Sequence, residues 1–418
     1  MGWLKRKGGV LCADGVPLPE VAGRFGTPCY VYSAAAIQKA VRSFQNAMSG
    51  LPLKLCYAVK ANPNGAILRL LARERLGVEV VSGGELMRAL RAGFSAEDVL
   101  FTGVGKRPDE LATALEHGVR AIVVESEEEL AVLQEMARKS RKVAPIALRY
   151  HPALDPATHA HLATGKAGSK FGLDEKGMER ALVRTAHSPW TDLVGFHVHL
   201  GSQLRSPEPY LEAAAQLVRW MEKAKALGHR PRFIDLGGGF GIAYRHDETD
   251  FPLAALGEAL ASNWPMETEL VLEPGRALVG PAGVLLTRVL YRKTVHARSF
   301  IVVDAGMTEL LRPALYGASH RIVPVEGRFN PELQVSVVGP ICENADHLAR
   351  KVLLPRLQPG DLLAVLDVGA YGASMASRYN SRPQAAEVLL IDGAAWLVRR
   401  REPLESLWRE EIWPAPLT

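Results

Sequence analysis

Four short stretches place reactive side chains where the chain turns. Lys60 stands in Tyr57-Ala58-Val59-Lys60-Ala61-Asn62-Pro63, and a histidine pair in Phe196-His197-Val198-His199-Leu200-Gly201-Ser202. Three consecutive glycines open Gly237-Gly238-Gly239-Phe240-Gly241, and Glu273 precedes Pro274-Gly275-Arg276. A lysine at a strand end is either a surface residue snorkelling to water or a desolvated amine suited to Schiff-base chemistry. His197 and His199 share one strand face and could hold a metal ion, but no third ligand follows them, so no metal is expected. A flat imidazole at His199 suits a planar cofactor, and His197, one layer deeper, reads as a hydrogen-bonded core histidine. A glycine cluster lets backbone N–H groups approach an anion such as a phosphate. Glu273 either faces a pyridine nitrogen, keeping it protonated, or forms an ordinary surface pair with arginine.

The elements that must position these groups alternate. Short apolar runs at residues 53–60, 78–82, 99–103, 121–125, 145–150, 193–200, 232–236 and 270–273 are separated by helical stretches. Ile67, Leu70 and Leu71 mark one helix face, and Leu211, Ala215, Leu217 and Val218 another. Alternating strands and helices imply parallel pairing with right-handed crossovers. Eight such units predict a closed β/α barrel in preference to an open doubly wound sheet. In such a barrel the active site lies at the C-terminal strand ends, where all four stretches fall.

After Glu273 the texture changes. Residues 283–291, 300–304, 334–338, 361–367, 387–391 and 395–399 are strand-like, with Gly, Pro and Asn turns between them. A short strand-turn pattern at residues 10–17 can join them. The expected organisation is a barrel at residues 26–275, with residues 1–25 and 276–418 forming a mainly β domain.

Composition excludes several classes. Hydrophobic residues make up 48% of the 418 and charged residues 23%, as in ordinary globular domains. A net charge of +5 without a basic run predicts no nucleic-acid partner. No apolar stretch of about 18 residues predicts a membrane span, and the basic start has no apolar run behind it, as a signal peptide would. The four cysteines have no metal-ligand spacing, which predicts reduced thiols and a cytoplasmic location.

Short segments at residues 14–33, 57–63, 81–85, 170–172, 197–203, 235–240, 273–276, 304–307, 312–317, 339–343 and 370–372 occur in an order that carries a resemblance. The chain resembles the alanine-racemase-fold group of pyridoxal-phosphate enzymes, and within it the diaminopimelate decarboxylase family. The resemblance implies an eight-stranded barrel followed by a mainly β domain, with pyridoxal 5'-phosphate carried on Lys60. His199 would stack on the pyridine ring and Glu273 would meet its nitrogen. Ser202, Gly237, Gly238, Gly239, Gly275, Arg276 and Tyr371 would hold phosphate or a substrate carboxylate. Arg312 and Tyr316 resemble the side chains that bind the far carboxylate of the substrate. Cys342 and Glu343 resemble a pair from the neighbouring subunit of a homodimer with shared sites, the first a proton donor and the second a partner of the far ammonium. Arg149-Tyr150-His151-Pro152, and Asn344-Ala345-Asp346 after Glu343, depart from the commoner family pattern.

The residues support the same chemistry on their own terms. Decarboxylation leaves a carbanion, so it needs an imine, an electron sink, a held phosphate and a proton donor. Lys60, Glu273, residues 237–239 and Cys342 can fill those roles. The reading is decarboxylation of meso-2,6-diaminopimelate to L-lysine and carbon dioxide, the last step of lysine biosynthesis. The alternatives are a decarboxylase of ornithine, arginine, lysine or carboxynorspermidine, and a non-enzymatic pyridoxal-phosphate carrier. Arg312 with Glu343 favours a substrate bearing both a carboxylate and an ammonium at its far end.

Overall fold

Each of the eight apolar runs forms a strand, in a computed structural model that describes residues 2–152, 169–327, 330 and 332–417. The strands are Leu53–Ala58, Gly77–Val80, Val99–Phe101, Ala121–Val124, Ala144–Arg149, Thr191–His197, Phe233–Asp235 and Glu269–Leu272. All pair in parallel, and the eighth returns to the first through Leu270 opposite Leu53 and Leu272 opposite Leu55. That closure settles the choice between barrel and open sheet.

The crossover helices start where polar residues cap them. Asn64, Ser82, Ser126 and Asp174 each accept a hydrogen bond from a first-turn amide of the helix that follows. The helix Gly65–Arg73 buries Ile67, Leu68 and Leu71, so Leu68 replaces Leu70 on the expected face. In Glu208–Ala226 the buried stripe is Tyr210, Ala213, Ala214, Leu217, Trp220, Met221 and Ala224. Ala215 is exposed there, because the two large aromatic rings set the face and the aliphatic residues beside them do not.

The chain divides into two compact units, Gln38–Ala243 with Glu248–Leu278, and Met1–Ile37 with Tyr244–Asp247 and Val279–Thr418. From sequence the barrel begins at residue 26. The strand Cys29–Ser33 instead pairs antiparallel with Gly283–Val295 and parallel with Ala386–Ile391, which carries it into the second unit. The mixed sheet of that unit contains all six expected strands, and also Ile322–Pro324 and His347–Leu354. Arg350 and Lys351 obscure the alternation in the last of these. The helix Leu18–Phe25 covers the sheet, burying Leu18, Val21 and Ala22 against Val31, Val284, Leu286, Ala364 and Val388. Among the described residues no helix is long and apolar enough to cross a membrane.

An apolar plug fills the barrel, built from Cys56, Leu100, Ala121, Val123, Ala147, Val194, Phe233 and Val271. Phe233 is its largest member and is 1% exposed. Gly195, on the neighbouring strand, leaves room for its ring. Phe233→Ala is expected to destabilise the barrel unit by about 3–5 kcal/mol through lost contacts and an unfilled cavity. Chemical denaturation followed by barrel tryptophan fluorescence checks this.

Candidate active site

Side chains alternate along a strand, so the residue two beyond each plug position faces the same way, one layer nearer the mouth. Thr102, Glu125, Arg149, Asp235 and Glu273 hold such positions, and Glu79 of the second strand and His197 at the end of the sixth join the layer. All are buried. Neighbours pair. Thr102 donates to Glu79, and Arg149 meets Glu125 at 2.8 Å.

Lys60 stands above this layer. The first strand ends at Ala58, and Lys60 lies in the 3-10 turn Val59–Ala61, not on the strand face expected from alternation. Tyr57 braces that turn by donating its hydroxyl to the Asn62 carbonyl at 3.0 Å. The Lys60 amine reaches Glu79 at 2.6 Å. A second acid stands close by. Glu85 accepts a hydrogen bond from the Val81 amide at 2.9 Å, and burial, with the Glu79 charge beside it, pushes its carboxyl up to about 7.

The sixth, seventh and eighth strands bring His197, Asp235 and Glu273 together, their ligand-type atoms all within 4.8 Å of one another. Sequence spacing shows two histidines and no third partner, because the acids come from neighbouring strands. His197 Nε2 lies 3.4 Å from Glu273 Oε2. Burial, and then the adjacent Glu273 carboxylate, push Asp235 well above the usual range. Burial also acts upward on Glu273, but His197 and Lys60 outweigh it and hold it at about 2. The environment thus favours a proton on Asp235 and an ionised Glu273. Among the described residues, no hydrogen bond reaches the buried oxygen Glu273 Oε1.

His199 lies beyond the strand, held by the glycine turn. The Gly238 amide donates to His199 Nδ1 at 3.2 Å, and the Gly237 amide donates to Asp235 Oδ1 at 2.8 Å. Two of the three expected anion-binding amides therefore orient the imidazole and the acid. Glycine is required here by close approach: a Cβ at Gly238 would lie 2.3 Å from the Glu273 carbonyl oxygen, and one at Gly239 2.2 Å from that of Gly201. Burial, then Lys60 and Arg149, hold the His199 imidazole well below its ordinary range, so the ring is neutral at neutral pH. Ser202 accepts a hydrogen bond from Arg276 Nη2 at 2.9 Å, joining two expected anion ligands from different strand ends. Gly275 packs against Ala58 and Ala61, beneath the lysine turn.

The barrel thus gathers Lys60, His199, Ser202, residues 237–239, Glu273, Gly275 and Arg276. Sequence reasoning missed Glu79, Glu125, Arg149 and Asp235. For Glu125 and Arg149 the signal was a charged residue closing an apolar run, two places after a buried one, whereas Glu79 and Asp235 lie inside their runs.

The second unit carries the remaining expected residues. Arg312 is buried at the start of the helix Arg312–Tyr316, and Tyr316 is half-buried. Cys342 and Glu343 sit on a bend, as adjacent residues aimed to one side must. Asp346 fixes the bend by accepting from the amides of Met307 and Ile341, each at 2.7 Å. The Cys342 thiol is exposed, and Glu343 accepts from the Tyr379 hydroxyl at 2.5 Å. Tyr371 lies in a loop with a φ of 57°.

Residues 34–280 match the family model for the pyridoxal-dependent decarboxylase, pyridoxal binding domain. The diaminopimelate decarboxylase of Zymomonas mobilis is 40% identical over 412 residues, 97% of each chain. That of Pseudomonas fluorescens is 43% identical over 410 residues, again 97% of each. The crystal structure of diaminopimelate decarboxylase from Helicobacter pylori complexed with L-lysine superposes with a TM-score of 0.90 at 38% identity, covering 94% of this chain and 99% of that one.

The Glu85 carboxyl gives a pH-dependent prediction. Its folded pKa is raised from 4.5 to about 7, so its neutral form fits the fold better than its ionised form. The stability this contributes is complete below pH 4.5 and is lost as pH rises through about 7. Glu85→Gln, which stays neutral, should match the parent in acid and exceed it at pH 8. Melting temperatures from pH 4 to 8 check the expected divergence.

Proposed function

The chain belongs to the pyridoxal-dependent decarboxylases, and we infer that it converts meso-2,6-diaminopimelate to L-lysine and carbon dioxide, closing lysine biosynthesis. The observation that carries this is full-length similarity, 97% of each chain, to diaminopimelate decarboxylases. Its cofactor is pyridoxal 5'-phosphate.

The barrel mouth fits that group. It offers a turn-borne amine, a neutral imidazole, a buried carboxylate oxygen that no described residue hydrogen-bonds, and Arg276 with Ser202 for an anion. In the proposed arrangement Lys60 bonds the cofactor, His199 lies against its ring and Glu273 meets its nitrogen. Ser202, Arg276 and the Gly239 amide hold its phosphate, Gly237 and Gly238 shape the turn that carries that amide, and Gly275 and Tyr371 are further ligands. When bound, pyridoxal phosphate supplies the conjugated ring that takes up the electron pair left on the α-carbon. Glu273, kept ionised by His197, holds a proton at the ring nitrogen, which makes that uptake favourable. Glu79 holds the Lys60 amine at the mouth until the cofactor engages it. Arg276 and Tyr371 also meet the substrate. Arg312 and Tyr316 bind its far carboxylate, and Glu343 its far ammonium. Cys342 returns a proton to the α-carbon once carbon dioxide has left.

The active form is proposed to be a cytoplasmic homodimer in which Cys342 and Glu343 serve the partner's site. Three buried cysteines and one exposed thiol suit a reducing compartment.

Purified protein supplied with pyridoxal phosphate should release carbon dioxide from meso-diaminopimelate faster than from lysine, ornithine or arginine. Lys60→Ala should lose the visible absorbance of bound cofactor and essentially all turnover. Faster release from ornithine or lysine would move the reading to the other decarboxylases.

Shared sites predict complementation. Lys60→Ala and Cys342→Ala chains, each poorly active alone, should regain activity on mixing, with about a quarter of sites whole in a symmetric dimer. Hybrid dimers without activity would confine each site to one chain.

A further inference from the structure

The chain reverses just after Arg312. The helix Arg312–Tyr316 ends on Gly317, whose φ of 63° lies in the left-handed region that favours glycine. The Gly317 amide donates to the Pro313 carbonyl and that of Ala318 to the Arg312 carbonyl. This turn returns His320 to Arg312, and both side chains are buried.

The hydrogen bonds of His320 determine its protonation. Its Nδ1 lies 2.9 Å from the Leu366 carbonyl oxygen, and its Nε2 lies 2.7 Å from Arg312 Nη1. A carbonyl can only accept and a guanidinium can only donate. The imidazole therefore carries its proton on Nδ1 and offers a lone pair at Nε2. A doubly protonated ring would set two N–H donors face to face. On another side, the Tyr244 ring lies 4.6 Å from Arg312 Cζ and meets the His320 ring edge to face, with centroids 4.9 Å apart. These two contacts come from neutral groups, and they hold the guanidinium by a hydrogen bond and a ring face.

We propose that His320 is a positioning residue for substrate specificity, aiming Arg312 at the far carboxylate through its Nε2 lone pair, with the Tyr244 ring as backing. This rests on the reading of Arg312 as the group that binds that carboxylate. Neither His320 nor Tyr244 needs to touch the substrate.

The test separates the two hydrogen bonds of the ring. Asparagine at position 320 keeps a donor for the Leu366 carbonyl but has no acceptor at the Nε2 position. Glutamine extends an amide oxygen towards it. Cofactor-loaded His320→Asn, His320→Gln, Tyr244→Leu and Arg312→Lys proteins are assayed for KM and kcat with meso-diaminopimelate. Competitive inhibition is measured with L-lysine, which retains the far carboxylate, and with cadaverine, which lacks it. His320→Asn should raise KM and weaken L-lysine inhibition about tenfold, as expected for losing one hydrogen bond to a charged group. Its kcat should stay near that of the parent and cadaverine inhibition should not change. His320→Gln should recover most of the loss, and Tyr244→Leu should shift L-lysine in the same direction, which keeps the proposal testable if His320→Asn does not fold. Equal shifts for L-lysine and cadaverine, or no shift in any His320 or Tyr244 variant while Arg312→Lys still separates the two inhibitors, would overturn the role of His320. If Arg312→Lys itself fails to separate them, the far-carboxylate reading is wrong and the proposal falls with it.

Discussion

A charge inside a barrel must be matched by another charge or removed by a proton, and the layer above the apolar plug is built under that constraint. Glu79, Glu125, Arg149, His197, Asp235 and Glu273 are each at most 6% exposed. An unmatched ion at such depth would cost several kcal/mol. The strand register supplies the matches. His197 stands opposite both Arg149 and Asp235 in the pairing, and the Glu125–Arg149 and His197–Glu273 contacts join side chains from different strands. The barrel geometry and the charge pattern therefore depend on each other. A one-residue slip would put carboxylates among the helices and apolar groups at the mouth.

The same constraint separates neighbouring groups into different protonation states. Asp235 and Glu273 are too close for both to ionise, so burial favours one proton for the pair, and His197 decides that Glu273 is the ionised member. Burial, with the cations Lys60 and Arg149 nearby, keeps His199 neutral. An ionised acid and an uncharged ring, the forms that the proposed roles of Glu273 and His199 need, thus arise from environment, without unusual residues.

Much of this was legible in the sequence because it depends on local pattern. Eight apolar runs at regular spacing predict the barrel, and the strand-end rule places Lys60, His199, residues 237–239 and Glu273 at its mouth. What escaped depends on contacts across strands. Asp235 immediately precedes the apolar residue of an otherwise ordinary glycine turn, and only pairing shows that it meets Glu273. Lys60 looked like a strand residue because Leu53–Ala58 gives no sign of where extension stops, and the 3-10 turn is fixed by Tyr57 reaching Asn62. Strand Cys29–Ser33 was assigned to the barrel unit because its apolar character is the same in either sheet.

The two units solve the positioning problem differently. In the barrel, site residues stand at strand ends and inherit their precision from a closed hydrogen-bonded ladder, so no single neighbour carries the burden. In the second unit, Arg312 and the Cys342–Glu343 bend lie on short turns, and each turn has its own polar anchor. His320 meets the guanidinium of the first, and Asp346 collects two amides around the second. Other contacts stand beside each anchor, the Tyr244 ring at Arg312 and Asn380 and Tyr379 at the bend, so removing the anchor is expected to shift the group it holds while the fold survives. Under the proposed roles of Arg312 and Cys342, loss of specificity or of proton delivery can therefore originate at His320 or Asp346, one contact away. The barrel site instead fails when the charge balance of its buried layer is broken.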